Sequence, residues 1–467
     1  MPSDPLPDLT TLTDRLRAGS LTASALVERC LAAIDDPAGE GARAFWSVAA
    51  ERARASAAGV DLARAGGGLL PPLAGLPVAI KDLFDVAGEV TTAGSSVLAE
   101  EAPAATTAPA VARLIAAGLI PIGRTAMTEF AFSGLGLNAH HPTPSSRWGR
   151  AEEPRIPGGS SSGSAVAVAD GMAPVGLGTD TGGSCRIPAA FNGLVGWKPS
   201  AGRVPLAGVV PLAPSLDSVG VMAATVADCA LLDLALAGPD GGTVPGGSAA
   251  TLEERPAARI HLAAVTDYVL DDLDPHVAAV FEHGLGLLRA AGVTVTEVGF
   301  PELLDLPEIN AGGGLAAAEA YQWHRPLLAR GADRYDPRVR RRIEAGASLD
   351  AAAVLDAREG RSRLQAAAAR RLAGFDAFVL PTVAITAPTI AAFEAGDAAT
   401  AADYYATTNL LCLRNTSVAN MLDGCAITIP APVGDAAPVG CMLMGGHGTD
   451  RTLLGLASAV EAVFARR

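Results

Sequence analysis

Lys81 and Lys198 are the only lysines of the chain, and the other 33 of its 35 basic residues are arginines. An arginine cannot give up its proton inside a protein, whereas a lysine can, so a chain that uses arginine nearly everywhere marks its lysines for other work. Lys81 follows the apolar run from Leu76 to Ile80 in LAGLPVAIKDLFDV, which has the form of a short buried strand. Its amine then emerges at a strand end, where burial draws the pKa down toward the working range of a base. Lys198, beside Trp197 and before a proline in VGWKPS, reads as a strand ending in a turn and as a structural residue. The letters VAIK also occur in protein kinases, but the HRD and DFG elements and a preceding glycine loop are missing. Val78 and Val195 stand three residues before the two lysines, which excludes the SxxK arrangement.

The second chemical signal is PGGSSSGSAVAVADGMAPVGLGTDTGGSCRIPAAFNGLVGWKP, residues 157 to 199. Gly158 to Ser164 reads as a tight polar loop, Ala165 to Ala169 as a small-residue helix, Val175 to Leu177 as a buried strand and Thr179 to Ser184 as a second loop. Two adjacent glycines in GTDTGGS let successive backbone N–H groups converge on one point, forming an anion nest. Beside a hydroxyl, such a nest suits acyl transfer, because negative charge develops on the carbonyl oxygen under attack. A surface linker would not alternate with apolar runs, nor carry Asp180 and Arg186 on either side of its second loop. A phosphate loop would end in GK[ST], which is absent.

These groups need a large scaffold. The 467 residues are 49% hydrophobic and only 18% charged, with 52 Gly and 33 Pro, which excludes a coiled coil and a disordered polymer. A net charge of −14 opposes attraction to phosphate backbones or anionic lipid, so neither nucleic acid nor a membrane is expected as partner. No secretory leader and no run of about 18 apolar residues is visible, which places the expected product in the cytoplasm. The cysteines at 30, 185, 229, 412, 425 and 441 form no CxxC pair and read as reduced core thiols, Cys185 as a packed small side chain. No metal-binding motif occurs, so no metal site is expected. Helices are expected over Thr22 to Ile34 and Pro109 to Ala117, with Gly118 stopping the latter before the strand LIPIG. The stretch 238 to 256, rich in glycine, reads as a surface connection; helices follow from 270 to 372, with the basic cluster of YDPRVRRRIEAG as a solvated face. Tyr321, Trp323 and His324 are the bulkiest group there, and no internal repeat is evident.

GGSSSGSAVAVA followed by GTDTGGSCRIPAAFNGLVGWKPS strongly resembles the amidase signature family of serine hydrolases. LAGLPVAIKD resembles its lysine strand, and TNLLCLRNTSVANMLDGCAITIPAP with PVGCMLMGGHGTDRTLLGLA its closing region. The resemblance implies an α/β fold, a single α/β/α domain over residues 1–467 with a large mixed sheet covered by helices. Within it, 1–68 would supply N-terminal helices, 70–230 the catalytic core, 240–375 a variable helical cover over substrate, with 300–330 as a lid, and 376–467 the rest of the core. It implies Ser184 as acyl-accepting nucleophile, Ser160, 24 residues earlier and after a cis peptide, as bridge, and Lys81 as terminal base. Ser161 would help hold the lysine, the amides of Thr181, Gly182, Gly183 and Ser184 would form the oxyanion hole, and Asp180 and Arg186 would support it. Ala131, Phe132 and Ser133 in TEFAFSGLGLN would border the acyl pocket. No cofactor is implied, and a homodimer is the assembly allowed for.

The chemistry is coherent on its own terms. A serine hydroxyl is a poor nucleophile until a base removes its proton, and a neutral lysine acting through a second hydroxyl can do so without histidine. The expected reaction is hydrolysis of a C–N amide, carbamate or urea-like bond of a small molecule, with release of ammonia or an amine. GGSSSGSAVAVA and RNTSVANMLDGCAI are similar to the allophanate-hydrolase branch, from which GTDTGGSCR differs. HHPTPSSRWGRAEEPRIP departs from the turn that the family often shows before its serine loop. Two alternatives stay open. GSSSG could be a GxSxG elbow with Ser161, Asp423 and His447, although AEEPRIPGG supplies no preceding strand. The chain could also be the amidase component of a tRNA-dependent amidotransferase.

Overall fold

The computed structural model describes residues 5–238 and 255–465, so most of the expected connection at 238–256 lies outside the described residues. Eleven strands among these residues form one sheet. In chain order they are β1 (Phe45–Val48), β2 (Pro77–Lys81), β3 (Ile120–Thr125), β4 (Val175–Thr179), β5 (Val195–Lys198), β6 (Val219–Ala223), β7 (His261–Val265), β8 (Thr294–Val298), β9 (Ala377–Pro381), β10 (Ala426–Pro430) and β11 (Gly440–Met444). Their order across the sheet is β1-β3-β2-β4-β6-β5-β10-β11-β9-β7-β8, with helices packed on it, as the α/β/α expectation required. β2 runs parallel to both neighbours, β3 and β4, whereas β6, β5, β10 and β11 alternate in direction. Parallel strands need both faces covered, and all five residues of β2 and of β4 are buried.

Helix Ala23–Asp35 is capped by Thr22, whose hydroxyl accepts from the Ala25 amide at 3.0 Å, and the next expected helix spans Pro109–Ala116 with its proline in the first turn. The small-residue helix begins earlier than expected, at Ser162, and runs to Ala169. Its first turn, Ser162-Gly163-Ser164, is made of polar residues and glycine that read as loop, yet all eight residues of the helix are buried. A β-carbon on Gly163 would come within 2.3 Å of the Ala44 carbonyl oxygen and 2.5 Å of the Ala126 nitrogen, so only glycine allows this close approach.

The helical reading of 270–372 needs one correction: Thr294–Val298 is β8, an edge strand parallel to β7. Its residues are mostly exposed, so its apolar members carry too little of a pattern to stand out between helices. Among the described residues no helix is long and apolar enough to cross a membrane, and all six cysteines are buried and unbridged.

Candidate active site

The parallel strands β2 and β4 end side by side, which places Lys81 and Thr179 at the same edge of the sheet. Lys81 has no solvent exposure; its Nζ lies 2.7 Å from Ser160 Oγ and 2.9 Å from Thr179 Oγ1. Among the described residues no carboxylate is in ion-pair range of this amine, and burial pulls its pKa down to about 8, against the influence of Cys185, Asp180 and Asp217. Thr179 is a second hydroxyl partner that the sequence reading had assigned to the loop.

Ser160 sits in the turn before helix Ser162–Ala169, and the Gly159–Ser160 peptide is cis. The Gly159 amide donates to Gly134 O at 2.8 Å, and Ser160 O accepts from the Thr128 amide at 3.1 Å. Ser161 joins both loops: its amide donates to Ser184 O at 3.2 Å and its hydroxyl to Thr179 O at 3.4 Å. Ser161 therefore holds the strand end rather than the Lys81 amine itself. Ser184 is 3% exposed, and no hydrogen bond joins its hydroxyl to that of Ser160.

The turn from Asp180 to Cys185 is fixed by buried charge. Asp180 Oδ1 accepts from Arg186 Nη2 at 2.7 Å, while Oδ2 accepts from Arg186 Nε at 3.0 Å and from the Cys185 amide at 3.1 Å. Burial alone would raise this carboxyl, but the Arg186 guanidinium outweighs it and holds the pKa at about 2. Arg186 also donates to Thr416 O and Asn420 Oδ1, both at 2.8 Å, which ties the turn to helix Ala398–Met421. Gly183 has φ +134°, and a β-carbon there would fall 2.1 Å from Thr416 Oγ1. That hydroxyl donates to Gly182 O at 2.6 Å, and Thr181 Oγ1 donates to Asp217 at 2.5 Å. Among the described residues the amides of Thr181, Gly182, Gly183 and Ser184 donate to no protein acceptor, although the turn is largely buried. Four successive unpaired donors in such a place are able to receive an anion. Asp217 carried no motif in the sequence, and Thr416 and Asn420 lie in the closing segment TNLLCLRNTSVANMLDGCAITIPAP without having been singled out; three-dimensional contact reveals all three.

Ala131, Phe132 and Ser133 are buried beside this cluster. Phe130 and Ala131 both have left-handed backbones, at φ +50° and +59°. Ser133 Oγ donates to Asn409 Oδ1 at 3.0 Å, and the next residue, Gly134, holds the Gly159 amide. The Arg342 guanidinium lies over the Phe132 ring at 4.6 Å. This corrects the solvated reading of YDPRVRRRIEAG, since Arg342 is half-buried and its Nε fully enclosed. His324 is buried edge-on to Phe130, with ring centroids 4.3 Å apart, and Trp323 lies 6.1 Å from the same ring.

Other sequence candidates separate. Lys198 Nζ donates to Pro199 O at 2.8 Å and Gly424 O at 2.7 Å. His447 is exposed and bonds the main-chain oxygen of Asp423 at 3.1 Å, while the Asp423 carboxylate holds Arg361 and Gln365. No strand precedes Ser161, so the elbow arrangement is not assembled. The Cys185 thiol is buried, pushed up to about 12 by desolvation, and unsuited to attack.

The family model described as Amidase matches residues 25–454. The chain is 38% identical over 453 residues to the 2-amino-5-chloromuconic acid deaminase of Comamonas testosteroni, covering 96% of this chain and 94% of that one. It is 34% identical over 476 residues to a glutamyl-tRNA(Gln) amidotransferase subunit of Chloroflexus aggregans, with the same coverages. A solved structure described as an amidase superposes with a TM-score of 0.85 at 33% identity, over 98% of this chain and 100% of that one.

Proposed function

The chain belongs to the amidase family, and on that premise we propose that Ser184 is its nucleophile, Ser160 the bridge and Lys81 the terminal base. The chain is a hydrolase of carbon–nitrogen bonds other than peptide bonds. The observation that carries the residue assignment is the Lys81 amine held by two hydroxyls and no carboxylate, beside a turn with four unpaired amides.

A lysine whose pKa is near 8 is partly neutral at physiological pH, and its lone pair can take the Ser160 proton. Ser160 in turn takes the proton of Ser184. That second link closes as substrate binds, since catalytic hydrogen bonds often tighten only in the complex. Ser184 Oγ attacks the amide carbonyl, and the oxyanion falls within the Thr181 to Ser184 amides. Collapse breaks the C–N bond, and the amine leaves with the proton returned through Ser160. Water then attacks the acyl-enzyme, giving its proton to the same relay and releasing the acid. Asp180 and Arg186 keep the turn rigid, and Ala131, Phe132 and Ser133 line the acyl side. Region 240–375 serves as the substrate cover, with the helix Gly314–Gly331, which carries Trp323 and His324, closing over Phe130.

Substrates in this reading are small amides or carbamates, the compartment is the cytoplasm and nucleic acid is not a partner. The buried free thiols support the compartment, and the net charge of −14 supports the exclusion of nucleic acid. The test is mass spectrometry after fluorophosphonate treatment, with amide turnover followed in parallel. An adduct on Ser184, absent with activity in Ser184→Ala, is the expected result; an adduct elsewhere overturns the assignment.

A second reading has one observation in its favour, the similarity to amidotransferase subunits. Such a protein would work within an assembly and feed ammonia to a partner. Ammonia released from simple amides by the purified chain alone supports the free-standing hydrolase, and activity only with co-purified partner proteins supports the other.

A further inference from the structure

A cavity of about 610 Å³ lies between the start of helix Ala50–Ala65 and strands β1, β2 and β3, and neither Ser160, Ser184 nor the turn from Asp180 to Cys185 lines it. Arg124 of β3 stands in its wall, opposite Ser47 of β1 in the strand register, with its side chain 5% exposed. Its Nε donates to Asp82 Oδ1 at 2.9 Å. Among the described residues Nη1 and Nη2 have no acceptor, although both are enclosed. A guanidinium carries five N–H donors, so four are left over here. A buried donor without a partner costs free energy, which an acceptor on a ligand recovers.

Helix Ala50–Ala65 opens on the same cavity with its N-terminal end, and Ala49 to Arg52 all line it. Ala49 has no side chain that could cap the helix, and its own amide is taken by Ile122 O at 2.8 Å. Among the described residues the amides of Ala50, Glu51 and Arg52 donate to no protein acceptor. They form the positive end of the dipole of a 16-residue helix. The carboxylates nearby are already engaged. Asp82 accepts from Arg124 and from Thr92, and Glu89 accepts from Arg52 Nη2 at 2.5 Å while lying 3.8 Å from Arg124 Nε. Glu51 is exposed to solvent. Asp82 and Glu89 thus balance Arg124 and Arg52, and what the cavity holds in excess is donors.

We propose that this cavity is a second, non-catalytic site that binds a small monocarboxylate, with its oxygens on Arg124 and the first-turn amides and its apolar body against Val48, Ile80 and Val86. The guanidinium edge offers paired N–H groups at the spacing of two carboxylate oxygens. A neutral amide would bring no charge to meet the helix end, and a dianion would bring a second charge toward Glu89 and Asp82 with nothing to offset it. Ile80 directly precedes Lys81, and Asp82, which holds Arg124, directly follows it. A ligand here therefore abuts the strand that carries the proposed base.

The test is calorimetry on the full chain with benzoate, benzamide and phenyl phosphate at pH 8. One benzoate per chain is expected, with benzamide and phenyl phosphate each weaker by roughly 10-fold or more. Arg124→Lys keeps a donor for Asp82 but loses the paired edge, and should weaken benzoate roughly 10-fold. Val48 is 38% exposed, so Val48→Trp fills the cavity from its open side without disturbing the core; it should abolish binding while the thermal unfolding transition is retained. Anomalous scattering from 4-bromobenzoate in crystals of the unaltered chain locates the ligand independently of any variant. Absence of benzoate binding, equal binding of benzamide or phenyl phosphate, unchanged affinity in either folded variant, or a bromine found outside this cavity overturns the site.

Discussion

Lys81 and Lys198 stand at the ends of two strands of one sheet, both without solvent exposure, and burial draws both amines down to about 8. Their partners are opposite in kind. Lys81 meets hydroxyls, which donate as readily as they accept, so its amine can hold or lose a proton without leaving an unpaired neighbour. Lys198 meets two main-chain oxygens, which only accept, so its site requires donors and ties β5 to the Gly424 turn. Burial and a displaced pKa are therefore shared by the proposed base and a brace, and the donor or acceptor character of the neighbours divides them.

The sharpest way to break this contrast is to remove each amine in turn. Lys81→Met is expected to lower kcat by roughly 10⁴-fold with the thermal unfolding transition retained. Should Lys198→Met do the same in a folded protein, the division fails. Next in size is pH. The neutral amine is the working form, so the logarithm of kcat/KM should fall about one unit per pH unit below about 8 and level off above it. Lys198→Met should leave that limb in place, and a limb that moves with Lys198 would reassign the base. Lys198→Met should instead lower folding stability by about 1–3 kcal/mol, measured by urea denaturation, because two buried carbonyl oxygens lose their donor. The smallest effect is expected at His447, an exposed residue outside the cluster: His447→Ala should keep turnover within roughly twofold.

The bias toward arginine singled out Lys81, and the glycine pair in GTDTGGS singled out the turn whose amides are unpaired, because both signals are local and compositional. What sequence could not show was partnership across the chain. Thr416 and Asn420 lie in the closing segment that resembles the family, but what they hold shows only when they are seen against Gly182 and Arg186. Arg342 belongs to a basic run whose exposed members suggest solvent, and only the packing of Phe132 beneath it reveals otherwise. β8 escaped notice because an edge strand buries little, and the first turn of helix Ser162–Ala169 because Ser162, Gly163 and Ser164 have the composition of a loop although the fold buries them.

The Arg186 contacts have a bearing on biosynthesis. The guanidinium that braces the Asp180 turn is itself held by Thr416, 230 positions further along the chain. A polypeptide emerging from the ribosome can complete its early strands long before that helix exists, yet the turn lacks its final anchor until the helix has been made and has docked. Hydrolytic competence should accordingly be among the last properties a nascent chain acquires.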